Sequence, residues 1–152
     1  MEEKDLIEAS KIHEEAFPRQ CHSLMWLESS LNAFPRLFSF IATNEDLVLG
    51  YIIWAQKSVF RPEKILDLDQ IAVHPKYQSK GVGKALIEGS LPLVKTQLAE
   101  QNSKLKHIIV NTRSDNFSQE LYRKTLKAEV EAVIKDLYSA DEVFMIARNA
   151  SI

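Results

Sequence analysis

Between Ile65 and Glu100 the chain reads as an apolar strand, a glycine-bearing turn and a long helix. The turn, Gln78-Ser79-Lys80-Gly81-Val82-Gly83, constrains this segment more than any other feature of the sequence. A helix N-terminus leaves several backbone N–H groups without a partner in the helix, and its dipole favours negative charge there. Glycines let the main chain come close to a ligand, so successive N–H groups can point at one anion. Lys80 and Lys84 add formal positive charge beside those amides. A Walker A loop would need glycine at position 78 and Ser or Thr at position 85, where the chain has Gln78 and Ala85. A dinucleotide fingerprint would need a third glycine where Leu86 stands. Both nucleotide readings fail, leaving an anion site of another kind or a helix start with no ligand.

The rest of the chain supplies the frame. Leu6, Ile7, Ala9, Ile12, Ala16 and Phe17 fall at mostly helical spacing, and Pro18 ends that helix. Ser23 is placed to cap a second helix running to about Leu31, before Pro35. Strands are expected at Leu37–Thr43, Leu47–Ala55 and Ile65–Val73. The second of these is apolar enough to be covered on both faces. After the turn a helix should reach about Glu100, with Pro92 kinking or dividing it. His107–Thr112 then reads as a strand, Asn116–Leu126 as a helix, and Glu129–Leu137 and Val143–Arg148 as two closing strands. This order predicts one α/β (α+β) domain over residues 1–152, a mixed and mostly antiparallel sheet of about six strands flanked by helices.

Composition removes several classes of function. The 152 residues carry a net charge of −2, which gives no support for a nucleic-acid partner. Cys21 is the only cysteine, so an intrachain disulfide is impossible and a reducing compartment, the cytoplasm, is expected. No apolar run approaches the ~20 residues of a membrane span, and Met1-Glu2-Glu3-Lys4-Asp5 opens no signal peptide. His13, His22, His74 and His107 show no metal-ligand spacing, so no metal is expected and the histidines are read mostly as surface residues.

Residues 66–86, Leu-Asp-Leu-Asp-Gln-Ile-Ala-Val-His-Pro-Lys-Tyr-Gln-Ser-Lys-Gly-Val-Gly-Lys-Ala-Leu, resemble the central motif of the GCN5-related N-acetyltransferases (GNAT). That family has a strand ending in an apolar-x-Val-x-Pro run, then Arg/Gln-x-x-Gly-x-Gly/Ala and a helix. Leu121-Tyr122-Arg123-Lys124 is similar to its Leu/Phe-Tyr-x-Lys helix segment, and the likeness runs from about Ile7 to Arg148. The resemblance implies the GNAT fold, here lacking the usual first strand, and an acetyl-CoA-dependent N-acetyltransferase acting on a primary amine.

By the same resemblance acetyl-CoA lies where the strand at Ile65–Val73 splays from the strand at His107–Thr112. The main chain of Ile71, Ala72 and Val73 would pair with the pantetheine arm as an added strand would. The amides of Gln78, Ser79, Lys80, Gly81, Val82, Gly83, Lys84 and Ala85 would hold the pyrophosphate, with Asn116 and Lys124 also on the cofactor. The N–H near Val73 is the candidate oxyanion donor. Tyr122 stands where the family often carries the acid that protonates the leaving thiolate, against a plain packing role. Asp69 stands where several relatives place a carboxylate base. Asp67 and Asp69 share a strand face roughly 7 Å apart, where they could steer a cation or form a solvated patch.

Three departures from the family pattern matter. Asp115 occupies the position usually held by Asn, so the neighbouring Asn116 is expected to take over its hydrogen bond. Leu126-Lys127-Ala128-Glu129 replaces the usual Gly-Phe after the Tyr helix. The layout, including Phe17-Pro18 and Leu137-Tyr138, is similar to the branch that acetylates ribosomal-protein N-termini, but that branch has a Glu where Val110 stands. The acceptor is therefore open among small molecules, peptides and proteins. The rival reading is an acyl-CoA-binding regulatory module with little chemistry. Many relatives are dimers, so a homodimer is also expected to be possible.

Overall fold

The structure is a computed structural model and describes residues 1–57 and 59–150. Its elements are α1 (Leu6–Ala16), α2 (Ser23–Asn32), β1 (Leu37–Asn44), β2 (Leu47–Lys57), β3 (Glu63–Val73), α3 (Val82–Glu100), β4 (Lys104–Arg113), α4 (Ser118–Leu126), β5 (Glu129–Ile134) and β6 (Glu142–Ala147). The strands form one six-stranded sheet in the order β1-β2-β3-β4-β6-β5. β1 and β2, β4 and β6, and β5 and β6 pair antiparallel, whereas β3 and β4 are parallel, as a strand–helix–strand unit requires. This is the mixed, mostly antiparallel sheet flanked by helices that the element order predicts.

Tertiary contacts group the chain into two compact units, Met1–Ala55 with Asp69–Pro92, and Gln56–Leu68 with Leu93–Ile152. In the first, α1 turns Leu6, Ala9 and Ile12 inward at helical spacing, where they pack with Leu27 of α2 and with Val48, Tyr51 and Ile53 of β2. Every residue of β2 from Tyr51 to Trp54 is fully buried, in keeping with its unbroken apolar run. Trp54, on the opposite face of β2 from Tyr51 and Ile53, is also fully buried, and its Nε1–H donates to the Ser90 hydroxyl of the long helix α3 at 2.8 Å.

One expectation about the helices is corrected here. Ser23 does not cap α2: His22 precedes the helix in the left-handed region (φ 57°), and the Ser23 hydroxyl instead lies 2.8 Å from Nδ1 of His13. His13 is accordingly a core residue, 1% exposed, rather than a surface one. α3 continues from Val82 to Glu100 through Pro92, so of the two expected effects of the proline, kinking and division, division does not occur.

In the second unit β4 pairs with β6 from Ile108↔Ala147 to Arg113↔Glu142, and β5 lies at the outer edge of the sheet. All six residues of β5 are exposed, and the strand ends at Ile134, three residues short of the expected limit. After α4 the chain turns with Lys127 in the left-handed region (φ 58°), its N–H reaching the Arg123 carbonyl at 3.2 Å. The next N–H, of Ala128, reaches Tyr122 O at 3.3 Å. A lysine thus fills the helix-ending position that glycine usually takes, at a strain of roughly 1 kcal/mol.

Candidate functional site

The turn after β3 is built by short-range bonds. His74 ends the strand, its N–H donating to Leu49 O at 2.8 Å, and Pro75–Tyr77 form one turn of 3-10 helix. Gln78 follows in an extended conformation and returns its side-chain amide to Val73 O at 3.2 Å, tying the turn to the strand end. Ser79 and Gly81 both take positive φ, 59° and 84°. At Gly81 a Cβ would meet nothing within 4 Å, so the backbone conformation alone calls for glycine there.

Backbone hydrogen bonds engage both ends of this turn. The Ala85 N–H already donates to Gly81 O at 2.9 Å, and the Gln78 N–H points at Pro75 O at 3.5 Å. Among the described residues, the N–H groups of residues 79–84 have no backbone partner of good geometry. Six consecutive N–H groups without a backbone partner thus lead into the nineteen-residue α3, a geometry that suits an anion. Lys84 is exposed and 3.8 Å from Glu88, and the Lys80 ammonium lies 5.3 Å over the Tyr77 ring, so both cations stay beside the turn in solvent.

β3 leads into that turn. Its ladder with β4 runs from Glu63↔Lys104 to Asp67↔Ile109, stopping short of Ile71–Val73. Gly50, in the middle of β2, is required by space: a Cβ there would lie 2.6 Å from Ala72 O and 3.2 Å from Val73 Cα. The sequence signal was a lone glycine inside an otherwise apolar strand. Tyr51 beside it is buried and donates to Gln70 Oε1 at 2.8 Å. Burial, with the charge of Asp69 adding to it, holds the Tyr51 hydroxyl far above the ordinary tyrosine range, so it stays protonated. Asp69 is exposed. Asp67 is not its equivalent. It is buried and ion-paired with Lys57 at 3.0 Å; desolvation raises its pKa and Lys57 opposes the rise.

In the second unit α4 carries Tyr122 on its inner face, 4% exposed. Burial raises the phenol above its usual pKa, with the Ser118 hydroxyl opposing, so a neutral O–H is present at physiological pH. Ser118 is one helical turn before Tyr122 and also lies 3.0 Å from the Thr112 hydroxyl of β4. Asn116 uses its side-chain oxygen to accept the Ser118 N–H at 2.9 Å, which starts the helix. Asp115 is held by Arg113 through two bonds of 3.0 and 2.9 Å, which lowers its pKa and offsets its charge. Lys124 is exposed and paired with Glu120 at 3.3 Å. The structure thus gathers Asp69, Ile71–Val73 and Gln78–Ala85 in one unit, and Asn116, Tyr122 and Lys124 in the other.

The model of the acetyltransferase (GNAT) family matches residues 6–127. The chain belongs to the GNAT acetyltransferase family. Among solved structures, the ribosomal-protein alanine N-acetyltransferase from Escherichia coli superposes with a TM-score of 0.75 at 20% identity, over 98% of this chain and 90% of that one. Arabidopsis thaliana NAA60 in complex with acetyl-CoA gives 0.75 at 14% identity, covering 96% and 94%. An aminoglycoside 6'-N-acetyltransferase complexed with coenzyme A gives 0.74 at 12% identity, covering 97% and 92%. At such identities the likeness is one of fold. No curated protein sequence matches the chain.

Proposed function

We propose that the protein transfers an acetyl group from acetyl-CoA to a primary amine of a small molecule, peptide or protein. The observation that carries this is the run of unpartnered N–H groups at residues 79–84, opening α3 where the family binds pyrophosphate. Those six amides, with Lys80 and Lys84 at the rim, hold the pyrophosphate. Ile71, Ala72 and Val73 offer their main chain to the amides of the pantetheine arm.

The amine attacks the thioester carbonyl as a neutral nucleophile, and the N–H of Val73 supports the oxyanion that forms. As the carbon–sulfur bond breaks, Tyr122 gives its proton to the departing thiolate, whose conjugate acid has a pKa of ~8.5. Asp69, exposed at the strand face, receives the amine proton through water. Asn116 and Lys124 are secondary cofactor contacts, since the Asn116 oxygen is committed to the helix start and Lys124 to Glu120. The rival reading, a binding module without turnover, draws on Asp115 and on the unassigned general base; the Arg113 pair offsets the first of these. Among the acceptors known for structural relatives, an N-terminal ribosomal peptide has the least local support: Val110 is buried and apolar.

The deciding assay measures free-CoA release against a panel of small amines, polyamines and peptides with free N-termini. Turnover above the no-acceptor rate with at least one acceptor is expected. Acetyl-CoA binding with no turnover across the panel would favour the binding module.

A further inference from the structure

The second unit contains a cavity of about 580 Å³ between the end of β2 and the starts of β3 and β4, lined by Lys57, Arg61, Glu63, Ile65, Lys106 and His107 among others. Its volume suits a small organic ligand. It shares no residue with the anion nest at 79–84 or with Tyr122.

Its lining has three cationic side chains against one carboxylate. Glu63 is bracketed by Lys106 at 3.0 Å and Lys104 at 3.6 Å, and Lys57 is held by Asp67 at 3.0 Å. These pairs fix the ammonium groups in place; with the partners Lys104 and Asp67 counted, four cationic side chains stand against two carboxylates. Lys57 and Lys106 keep 45% and 44% of their side chains open to solvent, so both can still bind an incoming oxygen.

A β-bulge shapes the floor. Lys64 pairs with Leu105 but Ile65 pairs with His107, so Lys106 is the extra residue. Leu105 and Ile108 are both buried, which simple alternation would forbid at a spacing of three. The bulge resets the phase and leaves Lys106 and His107 adjacent on the side away from the core, the re-aiming that bulges produce near sites. His107 accepts the Asn149 N–H on Nδ1 at 3.1 Å, so its neutral ring carries the remaining hydrogen on Nε2 and is a donor there. Ammonium and imidazole N–H donors thus stand in a lining whose carboxylate is Glu63.

We propose that this cavity is a second ligand site, binding a small organic anion with two or more carboxylate or phosphate groups. Charge-assisted hydrogen bonds from Lys106, Arg61 and His107 hold the oxygens, and the Ile65 side chain meets the ligand's carbon frame.

The test follows backbone amides of the full chain by NMR during titration with citrate and, separately, with inorganic phosphate, against sodium chloride at matched ionic strength. Saturable shifts at Glu63, Lys106 and His107 are expected with at least one of the two. Tighter binding of citrate identifies a carboxylate ligand, and tighter binding of phosphate a phosphate ligand. Lys106→Gln and Arg61→Gln, both at surface positions, should each weaken binding about tenfold. Lys80→Gln, at the other anion site, should leave it unchanged. Shifts that follow ionic strength alone, or binding indifferent to both Lys106→Gln and Arg61→Gln, would overturn the site. Acetyl-CoA binding measured on Lys106→Gln keeps this outcome separate from the acyltransferase reading.

Discussion

A free phenol ionises near pH ~10, and burial moves that of Tyr122 higher still, so the side chain enters any reaction as a proton donor. Tyr122→Phe keeps the packing volume and removes only the acid. Its kcat should fall by roughly 10²–10⁴-fold while acetyl-CoA affinity stays within about threefold, as steady-state kinetics and calorimetry would show. Unchanged turnover would reduce Tyr122 to a packing residue. His13 gives a second prediction, on stability. Burial lowers its pKa, with the Gln20 side chain and Glu14 opposing, so the folded chain holds it neutral. An unfolded histidine takes up a proton near pH ~6.5. The contribution of His13 is therefore complete above that pH and is lost as pH falls from it towards the depressed folded value. Urea unfolding between pH 7.5 and 5.5 should show this loss, and His13→Asn should flatten it; parallel curves would refute the assignment. Tyr122 could be named from its motif. The burial of His13 could not, because a lone histidine at a helical position carries no sign of what packs over it.

At the scale of elements, the close approach of β2 to the end of β3 depends on Gly50. Any Cβ there would press on the Ala72 carbonyl, which is backbone and cannot rotate away. Gly50→Ala should cost about 1–3 kcal/mol, read as a lower urea midpoint with an unchanged slope. A loss below ~0.5 kcal/mol would mean the strands separate without strain. The acetyl-CoA affinity of the same variant should fall as well, since Ala72 and Val73 form the proposed pantetheine strand. The strands and helices were largely legible from periodicity and from glycine and proline positions. The Lys64/Ile65 bulge was not, because an extra residue in β4 shows only when its partner strand is known.

At the scale of the molecule, acetyl-CoA that binds only the folded chain must stabilise it by mass action. At a hundredfold excess over Kd the gain is ~2.7 kcal/mol, which corresponds to a rise in Tm of roughly 5–10 °C for a chain of this size. Differential scanning fluorimetry with millimolar acetyl-CoA measures it, and no shift would remove the acyl-CoA reading. No described helix is long and apolar enough to cross a membrane. The sheet order itself was only partly legible: sequence implied the antiparallel hairpins and the parallel crossover. The placement of β6 between β4 and β5 is a long-range pairing that no local pattern encodes.

Local chemistry, then, is what the sequence determined by itself. Glycine at position 81, a helix after it and an apolar strand before it specify a positive-φ turn and a helix start whose first amides lack helical partners. The tertiary structure alone decided which groups remain available for chemistry. It tied Asp67 to Lys57, His13 to Ser23 and Tyr51 to Gln70, partners that lie on different elements of the chain. The reason is that hydrogen-bond and charge partners are set by distances across the fold, and a linear pattern of residue types does not contain them.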